Sequence, residues 1–166
     1  MYDLIGDIHG HADHLVCLLQ ELGYKKSGDV YHHSSRQAIF LGDFIDRGPK
    51  IREVLSIAKN MVDKGTALAV MGNHELNAMA YHTKDPANPS DFLRPHNNYN
   101  FSSHKATIDQ LGKDLNFYLD WFRTLPLWLD LPKLRVVHAC WDNNCIQDVQ
   151  RVLPSNRPID TDFLIK

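Results

Sequence analysis

Cysteine is scarce in this chain. Only Cys17, Cys140 and Cys145 occur among 166 residues, and no two share the C-x-x-C spacing. An odd, scattered set excludes a disulfide framework and a thiolate zinc finger, so all three are read as reduced thiols with no metal role. Long apolar runs are also missing. Nothing approaches the roughly 18 residues of a membrane span, and the opening MYDLIGDIHG meets acid and glycine too early for a signal peptide. The expected address is therefore cytoplasmic, with no membrane partner. Nor is there an excess of one charge. Lys and Arg number 18 against 20 Asp and Glu, a net charge of −2, which supplies no general attraction for nucleic acid or anionic lipid. Repeats, low-complexity tracts and linkers are absent too. With 43% hydrophobic residues, the chain is expected to form a single domain over 1–166.

What is present is an alternation of strand and helix signals. YDLI (2–5), AIFL (38–41), ALAVM (67–71) and LRVV (134–137) are short and apolar, the pattern of strands buried on both faces, which predicts one central sheet in an α/β fold. Between the first two, Leu15, Leu18, Leu19 and Leu22 recur at helical spacing, with Asp13 as N-cap and Gly23 as stop. A second helix is expected to have Pro49 in its first turn, a stripe of Ile51, Val54, Leu55, Ala58 and Val62, and Gly65 beyond its end. Residues 83–100 read as a long, substrate-selecting loop. Helices are expected over 104–112, 114–123 and 146–153, with Phe117, Trp121 and Phe122 as packing residues of the second. Trp128 and Trp141 are expected at the core or its rim.

Polar clusters follow each strand. GDIHG, GDFIDRG, GNHE and HA place Asp7, His9, Asp43, Asp46, Arg47, Asn73, His74 and His138 at one sheet edge, the usual binding crevice of α/β folds. Gly6, Gly42 and Gly72 are expected to let the backbone leave each strand sharply. Asp7 and His9 alternate along a segment read as extended, so both can face one cation, and Asp43 can bridge two through its two oxygens. Asn73 and His138 offer an oxygen and a nitrogen to a second cation. Two cations can activate a bridging water and clamp phosphate oxygens. Arg47 offers a fork suited to phosphate, and His74, oriented by Asp46, can protonate the leaving oxygen.

Ordinary structural uses stand beside these. Asp43 and Asp46 can cap a helix, Asn73 and His74 can serve a turn or helix start, and His138 can be a core histidine. Glu75 is read as a first-turn carboxylate favouring the helix dipole. His11, His14, His32, His33, His82, His96 and His104 are read as solvated or loop residues.

Taken in order, GDIHG, GDFIDRG, GNHE and VVHA resemble the signature of the calcineurin-like metallophosphoesterases, in the branch of the serine/threonine phosphoprotein phosphatases and their bacterial relatives. The DRG marks the branch. The resemblance implies an α/β/β/α sandwich and a binuclear centre holding two divalent ions, Mn foremost, with Fe or Zn as alternatives. It assigns Asp7, His9 and Asp43 to the first ion, and Asp43, Asn73 and His138 to the second. Arg47 and Asn73 would bind substrate, with Arg47, His74 and Asp46 in catalysis. The implied activity is hydrolysis of phosphate esters on a phosphorylated small molecule, nucleotide or phosphoprotein. Hydrolysis of diadenosine tetraphosphate or a related nucleotide polyphosphate is the alternative, and a non-catalytic metal-binding remnant the third reading. The family adds a late GH histidine and a second phosphate-binding arginine. No histidine follows His138, and Arg151 and Arg157 match no family context, so the sandwich is expected to be incomplete at a shortened C-terminus.

Overall fold

The computed structural model describes residues 1–153 and 158–165, so Arg157 lies outside the described residues. The chain runs β1 (Tyr2–Ile5), α1 (Ala12–Glu21), β2 (Lys25–Ser27), β3 (Val30–His32), β4 (Gln37–Phe40), α2 (Ile51–Asp63), β5 (Ala67–Ala69) and α3 (Asn73–His82). It continues through α4 (Asn98–Leu111), α5 (Leu115–Arg123), β6 (Trp128–Leu131), β7 (Leu134–Val137), α6 (Asn143–Val152) and α7 (Thr161–Ile165). β1, β4 and β5 form a parallel sheet in that order, while β2–β3 and β6–β7 are antiparallel hairpins.

Alternate residues of the parallel strands point to opposite faces. One face, with Ile5, Ala38, Phe40, Ala67 and Ala69, packs against Leu15 and Leu19 of α1, Val54, Leu55, Ala58 and Met61 of α2, and Trp121 and Phe122 of α5. The other face presents Ile39, Leu41, Leu68 and Val70 to Leu129, Leu131, Leu134 and Val136 of the β6–β7 hairpin. Helices, parallel sheet and hairpin thus stack as three layers, an α/β/β arrangement among the described residues. α6 and α7 send Val149, Phe163 and Leu164 to the helical side.

Several boundaries differ from those the sequence predicts. LRVV joins the hairpin, not the central sheet, because Arg135 at its middle stays exposed and pairs with Asp130 directly across. β1 is an edge strand whose hairpin-facing Leu4 is 48% exposed, so only Ile5 is buried. Asp13 does not cap α1; it lies in the first turn and binds Lys50 Nζ at 2.7 Å. Pro49 and Lys50 precede α2, and Met61, not Val62, completes its fully buried stripe. α4 begins at Asn98, where the Asn97 side chain accepts the Asn100 N–H at 2.9 Å, and this asparagine cap shortens the preceding loop. Phe117 is exposed, and Tyr118, Leu119, Trp121 and Phe122 pack instead. The β2–β3 hairpin and α7 have no counterpart in the sequence reading.

The site is positioned by the turns that end β4 and β5, which nearly touch. Gly42 has φ +88°, and a Cβ there would lie 2.2 Å from the Gly72 nitrogen; one on Gly72 would lie 2.2 Å from Asp43 Oδ1. Glu75, fully buried in the first turn of α3, locks this junction by accepting N–H bonds from Asp43 at 2.8 Å, Phe44 at 2.9 Å and Gly72 at 3.0 Å. Glu75 is structural, as read, although its partners are two separate turns and not the helix dipole alone.

Gly42→Ala forces a clash between backbones that cannot rotate away, so it should lose about 3–5 kcal/mol, or roughly 10–15 °C in thermal unfolding followed by circular dichroism. Gly65 has φ +70° and no neighbour within 4 Å of its Cβ position. Gly65→Ala bears only the torsional cost and should lose about 1 kcal/mol. Equal losses would show that the Gly42–Gly72 approach contributes nothing.

Candidate metal and phosphate site

The loop after β1 and the loop after β4 are laced together. His9 and Gly10 donate N–H bonds to the Asp43 and Phe44 carbonyls at 2.8 Å each, and Gly48 donates to the His9 carbonyl at 2.8 Å. Asp7, His9, Asp43, Asp46 and Arg47 are held at φ between +44° and +67°, and these are the non-glycine residues with positive φ among the described residues. The conformational burden expected of Gly6 falls on Asp7 and His9 instead, since Gly6 is not left-handed. These two residues therefore do not continue the strand with period two, as the sequence suggested; a tight turn aims them.

Asp43 Oδ2 is the point of convergence. The Nε2 atoms of His138, His9 and His74 lie 3.5, 3.6 and 4.0 Å from it. Asp43 Oδ1 accepts the His74 backbone N–H at 3.0 Å. His9 and His138 donate Nδ1–H to the Ile45 and Leu41 carbonyls at 2.8 and 2.6 Å. Each ring thereby turns its Nε2 toward Asp43, the orientation of a metal-binding histidine that donates its other ring N–H to a carbonyl. His138 Nε2 also lies 3.0 Å from Asn73 Oδ1. The two atoms are spaced like neighbouring ligands of one cation, about 3–3.5 Å apart for bonds near 2.1 Å. Two groups are spaced to hold a cation, His9–Asp43–His74 and Asp7–Asp43–His138. Asp7 and Asn73 are exposed at the rim, whereas His9 and Asp43 are buried.

His74 differs from its neighbours because its Nδ1 partner is the Asp46 carboxylate, at 2.6 Å. That hydrogen bond raises the His74 pKa; burial opposes it, and the charges of Asp43, Asp46 and Glu75 add to the rise. Asp46 is itself over-determined. Its Oδ1 accepts Thr107 Oγ1 at 2.5 Å and His104 Nδ1 at 2.9 Å. Burial alone would push its carboxyl up, but the bonds from His104, His74 and Thr107 outweigh burial and hold it well below the usual carboxylate range. His104 Nε2 meets His82 Nε2 at 3.2 Å, and burial, with the charges of His104 and His96, lowers His82 to about 4. Burial also lifts Glu75 to about 7, with the Asp43 charge adding and the three N–H bonds opposing.

Seven of the eight residues named from the sequence, Arg47 excepted, are linked by these contacts. Arg47 is exposed beside them and makes no ion pair among the described residues. Two of the histidines read as solvated are not: His104 is buried against Asp46, and His82 is half-buried against His104. Thr107 was missed as well. α4 lies roughly 60 residues from Asp46 in sequence, and no local spacing announces the contact.

No helix of the described residues is long and apolar enough to cross a membrane. The sequence model of the calcineurin-like phosphoesterases matches residues 2–164. The chain is 34% identical over 146 residues to the asymmetrical bis(5'-nucleosyl)-tetraphosphatase PrpE of Bacillus subtilis (strain 168), covering 83% of this chain and 57% of that protein. It is 32% identical over 166 residues to a symmetrical bis(5'-nucleosyl)-tetraphosphatase of Hamiltonella defensa subsp. Acyrthosiphon pisum (strain 5AT), covering 93% and 52%. The chain spans about half the length of these curated relatives. A solved cold-active protein tyrosine phosphatase superposes with a TM-score of 0.62 at 18% identity, over 98% of this chain and 49% of that one, a likeness of fold alone. The match over nearly the whole chain, on a fold whose turns converge on Asp43, makes this chain a member of the calcineurin-like phosphoesterase family.

Proposed function

We propose that this chain hydrolyses nucleotide polyphosphates, dinucleoside tetraphosphates foremost, at a binuclear metal centre. The observation that carries this reading is the identity to two bis(5'-nucleosyl)-tetraphosphatases across more than four-fifths of the chain, together with the imidazoles gathered around Asp43 Oδ2. It moves the emphasis from the phosphomonoesters and phosphoproteins that the DRG motif brings to mind. Monoester hydrolysis stays as the second reading, favoured by the His74–Asp46 pair, which serves any poor leaving group.

The donor set fits divalent cations of mixed nitrogen and oxygen preference, such as Mn, Fe or Zn. Asp7, His9 and Asp43 would hold one, and Asp43, Asn73 and His138 the other. When bound, the pair supplies Lewis acidity toward phosphate oxygens and an acidified water. The protein groups do the rest. Arg47 places its fork on phosphate oxygens from the rim, and Asn73 faces the same point. His74 keeps a proton on Nε2 for the departing oxygen, while Asp46 fixes its ring and favours the protonated form.

Ligand and acid should separate by calorimetry. Asp43→Asn should weaken all Mn2+ binding by at least about tenfold, because Asp43 is common to both candidate groups. His74→Asn should leave Mn2+ binding within about threefold. Loss of metal in His74→Asn would move His74 into the ligand set.

Leaving-group dependence tests the proton donor. His74→Asn should slow an alkyl phosphate by roughly 100- to 10,000-fold. Para-nitrophenyl phosphate and diadenosine tetraphosphate should lose far less, since their leaving groups are already acidic, a terminal phosphate having a second pKa of about 6. Equal losses on all three would reject the assignment. Cleavage of para-nitrophenyl phosphate with no turnover of diadenosine tetraphosphate would favour the monoesterase reading.

A further inference from the structure

A narrow cleft opens directly beside His74, between α3 and α4. On α3, His74, Asn77, Ala78 and Tyr81 follow helical spacing along one face; on α4, Asn100, Ser103 and His104 do the same. Arg94, from the loop joining the two helices, completes the lining. The loop holds Arg94 firmly. Leu93 and Arg94 donate N–H bonds to the Thr83 and Ala80 carbonyls at 3.0 and 3.1 Å, Asn100 Nδ2 donates to the Pro95 carbonyl at 2.8 Å, and His96 stacks on Tyr81 with centroids 3.9 Å apart.

The charge balance of this cleft is uneven. Asp46, its one carboxylate, has both oxygens occupied by His74, His104 and Thr107. Arg94 is half-buried, donates from Nη1 to the neutral Asn77 Oδ1 at 2.6 Å, and makes no ion pair with a carboxylate among the described residues. A guanidinium fixed by an amide, lining the same cleft as His74 and without a counter-charge, is suited to an anion.

We propose that Arg94, set by Asn77, is a specificity-determining residue that meets, at the mouth of the α3–α4 cleft, the phosphate following the one attacked, so that the site prefers a polyphosphate chain to a monoester. This rests on the polyphosphatase reading and on His74 facing the leaving oxygen. Arg47 and Arg94 then grip successive phosphates, one at the metal rim and one beyond His74.

Direct binding tests the subsite without turnover. Sodium tripolyphosphate and orthophosphate would be titrated calorimetrically into the Mn2+-loaded chain at fixed free Mn2+. The wild type should bind tripolyphosphate roughly 10- to 100-fold more tightly than orthophosphate. Arg94→Gln should abolish that advantage while orthophosphate affinity stays within about twofold. Arg94→Lys should retain part of it, and Asn77→Asp, which pairs the guanidinium without removing it, should lose most of it. No advantage in the wild type, an advantage kept in Arg94→Gln, or equal loss of both ligands would overturn the proposal. Turnover separates it from the broader reading. If tripolyphosphate depends on Arg94 but diadenosine tetraphosphate is not cleaved, the subsite stands and the function falls. If diadenosine tetraphosphate is cleaved equally by wild type and Arg94→Gln, the function stands and the subsite falls.

Discussion

The near-contact of Gly42 and Gly72 is the constraint on which the rest of this molecule depends. Two parallel strands lie side by side, and their outgoing turns must diverge within one residue of each other. Neither turn has room for a Cβ, and the Glu75 carboxylate binds both backbones at once. A buried carboxylate with three N–H donors is far less costly than one without partners, although burial and the Asp43 charge still lift Glu75 to about 7. Asp43 and Asn73 are thereby fixed within reach of each other before any ligand arrives.

Five left-handed non-glycine residues are the local cost of this precision, at about 1–2 kcal/mol each. The cross-lacing of the two loops and the deep helical core hold them there. Strain of this kind persists where surrounding structure over-determines the backbone, and here it falls in the two loops that carry Asp7, His9, Asp43 and Asp46.

Chemically similar histidines are differentiated by what their Nδ1 atoms touch. On His9 and His138 a backbone carbonyl accepts the Nδ1–H, whereas on His74 the Asp46 carboxylate takes that place and raises the pKa of the ring. Asp46 is in turn fixed by His104 and Thr107 from α4. The helical layer therefore reaches Asp46 and, through it, His74, while the strand ends supply Asp43, Asn73 and His138.

Much of this was legible in the order of residues. Four short motifs after four apolar runs named Asp7, His9, Asp43, Asp46, Arg47, Asn73, His74 and His138, because the backbone must place the residue after each strand at a shared edge. Most of the α2 stripe, and Leu15 and Leu19 of α1, were legible for the same reason, since a helix buries one face at a fixed period; Leu18, read into the α1 stripe, is exposed. The tertiary structure alone decided that LRVV leaves the sheet for a hairpin, that Leu4 lies uncovered, and that Asp7 and His9 are aimed by a turn. It alone joined His104, Thr107 and Arg94 to the site, since those contacts cross dozens of residues and depend on how α4 and its loop pack. Periodicity and strand-end motifs are local, so sequence determines them; tautomers, shared oxygens and uncompensated charges belong to distances between segments, and only packing sets those.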